Sequence, residues 1–183
     1  MNDKSRQNTQ KLKWMHSAKE CAYLAVFVGL IIAVQVVLSW IPGVELVTVM
    51  FVSYAFSMGV KRGMIAATVF SFLRQFVFGF FPTVLVLYLV YFNALAFVFG
   101  VIGWKDRKRL WGIVLFACAG TVCFTLFDNL IGLVWYGYRG RVAKAYMLAS
   151  LPFMIPQVIC TAFSVAVLFQ PLVRLFKGLK KRL

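Results

Sequence analysis

The feature that most constrains this chain is a succession of apolar runs, each close to the roughly 20 residues that an α-helix needs to cross the hydrocarbon core of a bilayer. Six spans are placed at 20–40, 45–60, 63–81, 84–103, 110–135 and 145–173. They are separated by charge or by turn signals at Ile41-Pro42-Gly43, Lys61-Arg62-Gly63, Phe81-Pro82-Thr83, 104–109 and 136–144. The second span is short and the sixth long. Composition agrees with lipid as the solvent: 62% of the 183 residues are hydrophobic and only 14% are charged, whereas soluble domains are about 45–50% apolar. Continuous apolarity over such lengths, without alternation of period two, excludes a β-barrel. The expected fold is all-α, a compact polytopic bundle of six transmembrane helices over 20–173. A basic segment, 1–19, precedes it and a basic tail, 174–183, follows. Short connections make consecutive spans antiparallel neighbours.

A net charge of +15 would point to nucleic acid in a soluble protein, but here the cations sit in short clusters between apolar runs. Of the 20 Lys and Arg, 16 fall before the first span, at Lys61-Arg62, in 105–109 and from Arg174 onward. The other side holds only Arg139, Arg141 and Lys144, and Arg74 lies inside span three. Since the cytoplasmic side carries the excess of Lys and Arg, both termini are expected there, and no nucleic-acid partner is expected. No small-residue cleavage site follows the basic N-terminal segment, so no removable signal peptide is expected. The four cysteines, Cys21, Cys118, Cys123 and Cys160, lack Cys-x-x-Cys spacing and three lie in apolar runs. They read as small hydrophobes rather than as disulfides or metal ligands.

Polar side chains within a span face the bundle interior or a cavity, because lipid cannot solvate them. Their depth is informative. At about 1.5 Å per residue, Arg74 stands roughly 18 Å beyond Lys61-Arg62 and Asp128 about 28 Å beyond Arg109, both in the outer half of the membrane. Gln157 is similarly far from Arg174; Gln35 is near the outer end of span one, Glu45 opens span two, and Asn93 is near the middle of span four. Thr121, Thr125 and Asp128 share a helical face, with Gly132 and Trp135 continuing it; Gln157, Thr161 and Ser164 form a second stripe, and Thr68, Ser71 and Gln75 a third beside Arg74. The Ser and Thr members read as glue between helices. Arg74, Asp128 and Glu45 read either as an ion pair or as groups lining a polar cavity. Trp40, Tyr88, Tyr91, Trp135, Tyr136, Tyr138 and Tyr146 gather in the same half. Trp40 and Tyr138 suit an interfacial belt, and Trp135 and Tyr146 suit a pocket wall.

Catalysis is not expected. The single histidine, His16, precedes span one, so neither a histidine metal cluster nor a Ser-His-Asp arrangement can form in the membrane. No Walker-type phosphate loop is present, so the chain does not hydrolyse ATP itself. No metal site and no cofactor are expected. No internal repeat is visible, and six spans are few for a two-repeat transporter.

Two stretches carry a family resemblance. The first is Glu20-Cys21-Ala22-Tyr23-Leu24-Ala25 with the close of span one at Ser39-Trp40-Ile41-Pro42-Gly43 and then Val44-Glu45-Leu46-Val47; the second is Asp128-Asn129-Leu130-Ile131-Gly132 through Trp135 and Ala145-Tyr146 into Leu151-Pro152-Phe153. With the six-span pattern they make the chain resemble the substrate-binding S components of energy-coupling factor (ECF) transporters, the thiamine-type members in particular. The resemblance implies a protein of the prokaryotic plasma membrane that captures a vitamin or related micronutrient in an outer cavity, under the connection between spans one and two, here Ile41 to Val44. It implies as partners a transmembrane coupling protein and two ATPase subunits that hydrolyse the ATP. Docking on the coupling protein uses small residues four apart on span one, which points to Ala18, Ala22 and Ala25. In the thiamine-type register Val26 follows Ala22 and departs from that pattern, and Ala22, Ala25 and Gly29 form an alternative patch.

The thiamine-type pattern also sets Asp128 at a substrate-contacting histidine, Tyr91 at an acidic residue and Leu151 at an asparagine, and retains Tyr146. With three of four positions changed, thiamine itself is not expected. The resulting substrate-site expectation is Asp128, Tyr146, Arg74, Tyr91, Asn93, Glu45, Trp135 and Gln157. Arg74 would meet a carboxylate or phosphate, and Asp128 an amine or ring N–H. A solitary small-solute transporter and a scaffold without ligand remain the other readings of the residues alone.

Overall fold

The computed structural model describes the backbone of residues 3–41, 44–104 and 110–182, and the side chains of 18–41, 44–103 and 110–182. His16, the cations before Ala18, the Pro42-Gly43 part of the capping connection and the 105–109 loop lie outside the described side chains. Six helices follow one another: α1 (Asp3–Leu38), α2 (Val47–Met58), α3 (Val60–Phe78), α4 (Pro82–Trp104), α5 (Leu110–Tyr136) and α6 (Gly140–Lys180), with no strand among the described residues. The expected all-α architecture and the order of six helices hold, but the break expected at Lys61-Arg62-Gly63 falls at Gly59, whose positive φ turns the chain, and those three residues lie in the first turn of α3. The helices at the two ends reach further, because α1 begins within the basic segment 1–19 and α6 continues into the tail.

Four helices contain stretches long and apolar enough to cross a membrane: Ala18–Leu38, Pro82–Gly103, Leu110–Tyr136 and Gly140–Lys180. Large apolar side chains cover the outside of the bundle, Phe76, Val26, Phe163 and Val134 among them. The chain is a multi-pass membrane protein. α3 carries three charges, at Lys61, Arg62 and Arg74, and α2 has only 12 residues. At 1.5 Å per residue α2 is about 18 Å long, against the roughly 30 Å of a hydrocarbon core.

The short helix is the centre of the molecule. All 12 of its residues are buried, and it touches each of the other five helices. Without water between helices, close packing and polar bonds must hold such a bundle. Aromatic rings do much of this around α2: Phe27 of α1 stacks on Tyr54 with centroids 3.8 Å apart, and Phe176 of α6 meets both edge-on. On the other side Phe51 contacts Phe70 of α3 and Phe92 of α4. Hydroxyl and amide pairs add directional links, Thr121 to Thr161 at 3.0 Å between α5 and α6, and Asn93 to Thr68 at 3.2 Å between α4 and α3.

α1 at Glu20, the start of α3 and the ends of α2, α4 and α6 meet at one end of the bundle. Arg62 pairs with Glu20, and Lys180 Nζ donates to the Ser57 carbonyl at 3.0 Å. This is the end that the excess of Lys and Arg assigns to the cytoplasm. Only Gly59 separates α2 from α3, and its φ of 93° is a left-handed conformation that glycine adopts without strain. The reversal is pressed onto α4, where Cβ atoms added at Gly100 and Gly103 would fall 2.8 Å from the Val60 backbone and 2.1 Å from the Phe56 carbonyl oxygen. Backbone therefore meets backbone where the reversal crosses α4.

Gly103→Ala should destabilise the bundle by about 1–3 kcal/mol through overpacking. Gly29→Ala, where an added Cβ meets nothing within 4 Å, should not. Thermal unfolding in detergent, followed by tryptophan fluorescence, compares the two.

Candidate functional site

At the opposite end α2 stops short, and residues 44–46 continue upward as non-helical backbone. Such backbone survives at membrane depth only when protein surrounds it or when it lines a cavity. Both conditions hold. A cavity of about 410 Å³ opens there, between the ends of α1 and α3, the first turns of α4 and the middle parts of α5 and α6. Its polar wall is Gln35, Ser39, Glu45, Arg74, Tyr88 and Gln157; Phe78, Phe124 and Phe153 supply much of the apolar wall. Volume and lining suit a small organic solute with a few polar groups. Ile41 and Val44, the described ends of the capping connection, sit on its rim.

Glu45 is fixed on several sides. Gln157 Nε2 donates to Oε2 at 2.5 Å and Thr48 Oγ1 donates to Oε1 at 3.3 Å. Its backbone is held too, the N–H donating to Cys160 Sγ at 3.4 Å and the carbonyl accepting from that thiol at 3.7 Å. The carboxylate stands just ahead of the first turn of α2, where the helix dipole favours negative charge.

Arg74 is held differently. Its guanidinium carbon lies 4.3 Å from the ring centroid of Tyr88 and 4.6 Å from that of Phe78, within cation–π range of both. Tyr88 is in turn fixed by Gln35, whose Nε2 donates to its hydroxyl at 3.1 Å. Among the described residues the one ion pair is Arg62–Glu20, so neither the Arg74–Glu45 nor the Arg74–Asp128 pair forms. Arg74 Nε and Gln35 Oε1 are buried without a hydrogen-bond partner. A cation stacked between rings but not neutralised, facing a cavity that also holds a clamped carboxylate, can receive an anionic group at one wall and a donor or cation at the other.

Of the eight expected substrate residues, the structure brings together Arg74, Glu45 and Gln157. The other five lie outside the cavity. Asn93 bonds Thr68 and the Leu89 carbonyl, linking α3 to α4. Tyr91 is buried behind Phe124, with ring centroids 4.8 Å apart. Trp135 is exposed. Tyr146 stacks toward Tyr138 at the tip of the α5–α6 hairpin. Asp128 is exposed on α5, while its neighbour Asn129 is buried and donates to Ser150 at 2.8 Å. The reason is the packing of α5: near this end its inward arc faces α6 through Asn129 and Gly132 rather than the bundle axis, which turns Asp128 away. Gln35 and Tyr88 are cavity-lining side chains that spacing alone does not assign to a site. Their signals are an isolated glutamine in an otherwise apolar span, and a tyrosine in the same outer layer as Arg74.

The small residues of α1 have a clear place. Ala18, Ala22, Ala25 and Gly29 are all exposed, on the side of the helix away from buried Phe27, Val28 and Ile31. They do not serve packing within the bundle. No protein family, curated protein or solved structure matches this chain.

Gln157→Leu leaves one oxygen of a confined carboxylate without its donor and should cost about 1.5–3 kcal/mol of stability. Asp128→Asn, at an exposed position, should stay within about 0.5 kcal/mol of the parent. Thermal unfolding of the two variants in detergent distinguishes them.

Proposed function

We propose that this chain is the substrate-binding S component of an ECF-type importer, which captures a small water-soluble solute of vitamin size at its outer cavity. The observation that carries the proposal is Arg74, stacked between Phe78 and Tyr88 and facing the same cavity as the clamped Glu45. A half-buried guanidinium with an unpartnered Nε and no ion pair is costly in a membrane bundle, and structural glue alone gives no reason for it. A ligand carrying a carboxylate or phosphate supplies the countercharge. Glu45 with Gln157 then receives an amine or ring N–H, and Phe124 and Phe153 flank the apolar body. The ligand class is a planar or compact zwitterion or heterocyclic acid.

The chain needs no ATPase site of its own in this reading. A transmembrane coupling protein with two ATPase subunits supplies the energy, and the bundle delivers its solute by reorienting beside that protein. The exposed Ala18, Ala22, Ala25 and Gly29 face of α1 supports such docking, because small side chains let a partner helix approach closely in lipid. The setting of the proposal is the prokaryotic plasma membrane, with no catalysis by this chain.

Native mass spectrometry of the chain purified gently from its source membranes, with release and identification of any small molecule, tests the proposal. The expected result is one polar solute per chain, with affinity reduced at least about tenfold in Arg74→Gln, as loss of a charge-assisted contact implies. Asp128→Asn should leave it unchanged. Ala22→Leu should weaken co-purification of the coupling module without altering solute binding. Uptake into vesicles that hold this chain alone would instead make it a solitary carrier. Unchanged stability and no bound solute, in conditions that retain ligand in a control S component, would leave only a scaffold.

A further inference from the structure

The basic end of the bundle holds a second cleft, of about 560 Å³, around the α2–α3 reversal. Lys61, Arg62, Lys177 and Lys180 line it, and Arg62 pairs with Glu20. Two of the cations stand in the first turn of α3, which contains no acid and whose cap, Gly59, offers no side-chain bond. Positive charge at the positive end of a helix dipole is unfavourable unless an anion compensates it. Ser57, 3% exposed, also lines the cleft, and its hydroxyl is buried without a partner. Cations at a helix N-terminus and an unused hydroxyl are a donor set suited to phosphate.

We propose that this cleft binds the phosphate of an anionic phospholipid from the cytoplasmic leaflet. The lipid source follows from what adjoins the cleft. A groove of about 440 Å³ shares Phe56 and Lys177 with it and continues along Leu110, Phe169 and Val173, with Gln170 and Arg174 also in its wall, which gives an acyl chain an apolar side to lie on. Lys177 lies over the Phe56 ring at 5.6 Å, at the junction of the charged and apolar parts. Bound there, the lipid bridges α2, α3 and α6 beside the Gly59 reversal. Basic pockets between helices on the cytoplasmic side are suited to such headgroups, and the inner leaflet supplies them.

The test is thermal unfolding of the purified chain in a neutral detergent with dioctanoyl phosphatidylglycerol, dioctanoyl phosphatidylcholine or inorganic phosphate at equal concentration. Phosphatidylglycerol should raise the midpoint by about 4 °C or more, with little effect of the other two. Lys61→Gln, at an exposed position, should keep the lipid-free midpoint and lose most of the shift, whereas Arg141→Gln at the opposite end should keep it. Native mass spectra should show one phosphatidylglycerol retained by the parent and lost from Lys61→Gln. An equal shift with phosphatidylcholine, no shift with phosphatidylglycerol, or a full shift in Lys61→Gln would overturn the proposal. An equal shift with inorganic phosphate would overturn the lipid source and assign the cleft to a soluble phosphate.

Discussion

The rest of the structure depends on a helix too short for its position. α2 is the axis of the bundle, buried at every residue and in contact with all five neighbours, yet it supplies only about 18 Å of a roughly 30 Å path. The surrounding helices are long enough to continue, so the axis above Val47 is filled by chain ends and side chains instead of helix. That is where the outer cavity opens and where the non-helical segment 44–46 is sheltered from lipid. A full-length central helix would close the cavity and leave Glu45 no polar surroundings.

The two ends of the bundle are built on opposite principles. At the basic end Gly100 and Gly103 let backbones touch and Gly59 reverses the chain, and the Arg62–Glu20 pair and the Lys180–Ser57 bond draw α1, α2, α3 and α6 together. At the outer end contact is made through side chains. Gln35 sets Tyr88, Tyr88 and Phe78 hold Arg74, and Gln157 and Cys160 of α6 hold Glu45. Each polar group is positioned by a different helix, so the arrangement depends on how the helices converge. Backbone contact thus dominates at one end and side-chain contact at the other.

Much of this was legible in the residues. Apolar runs, proline and glycine breaks and the asymmetry of Lys and Arg located six helices within a few residues in most cases, since lipid leaves the backbone few alternatives. Depth counted from the basic clusters correctly put Arg74, Glu45 and Gln157 in one layer. It failed to separate them from Asp128, Tyr146, Tyr91, Asn93 and Trp135, because depth gives height along the membrane normal and not direction around a helix. The stripe through Thr121 and Asp128 shows the difficulty. Its spacing is regular, yet α5 turns its outer portion toward α6, so Asn129 and not Asp128 points inward.

By itself, then, the sequence determined the class of solvent, the number of helices, the end that bears positive charge and the layer in which polar groups collect. Those are set locally, by the transfer of each segment into lipid and by the electrostatics of its flanks. Only the tertiary structure decided that α2 is central, that Arg74 stacks on aromatic rings instead of pairing with an acid, and that the small face of α1 points outward. These depend on how helices rotate and converge, and in lipid that is chosen by packing and a few interhelical bonds between residues more than 50 positions apart, such as Gln35 with Tyr88 and Glu45 with Gln157.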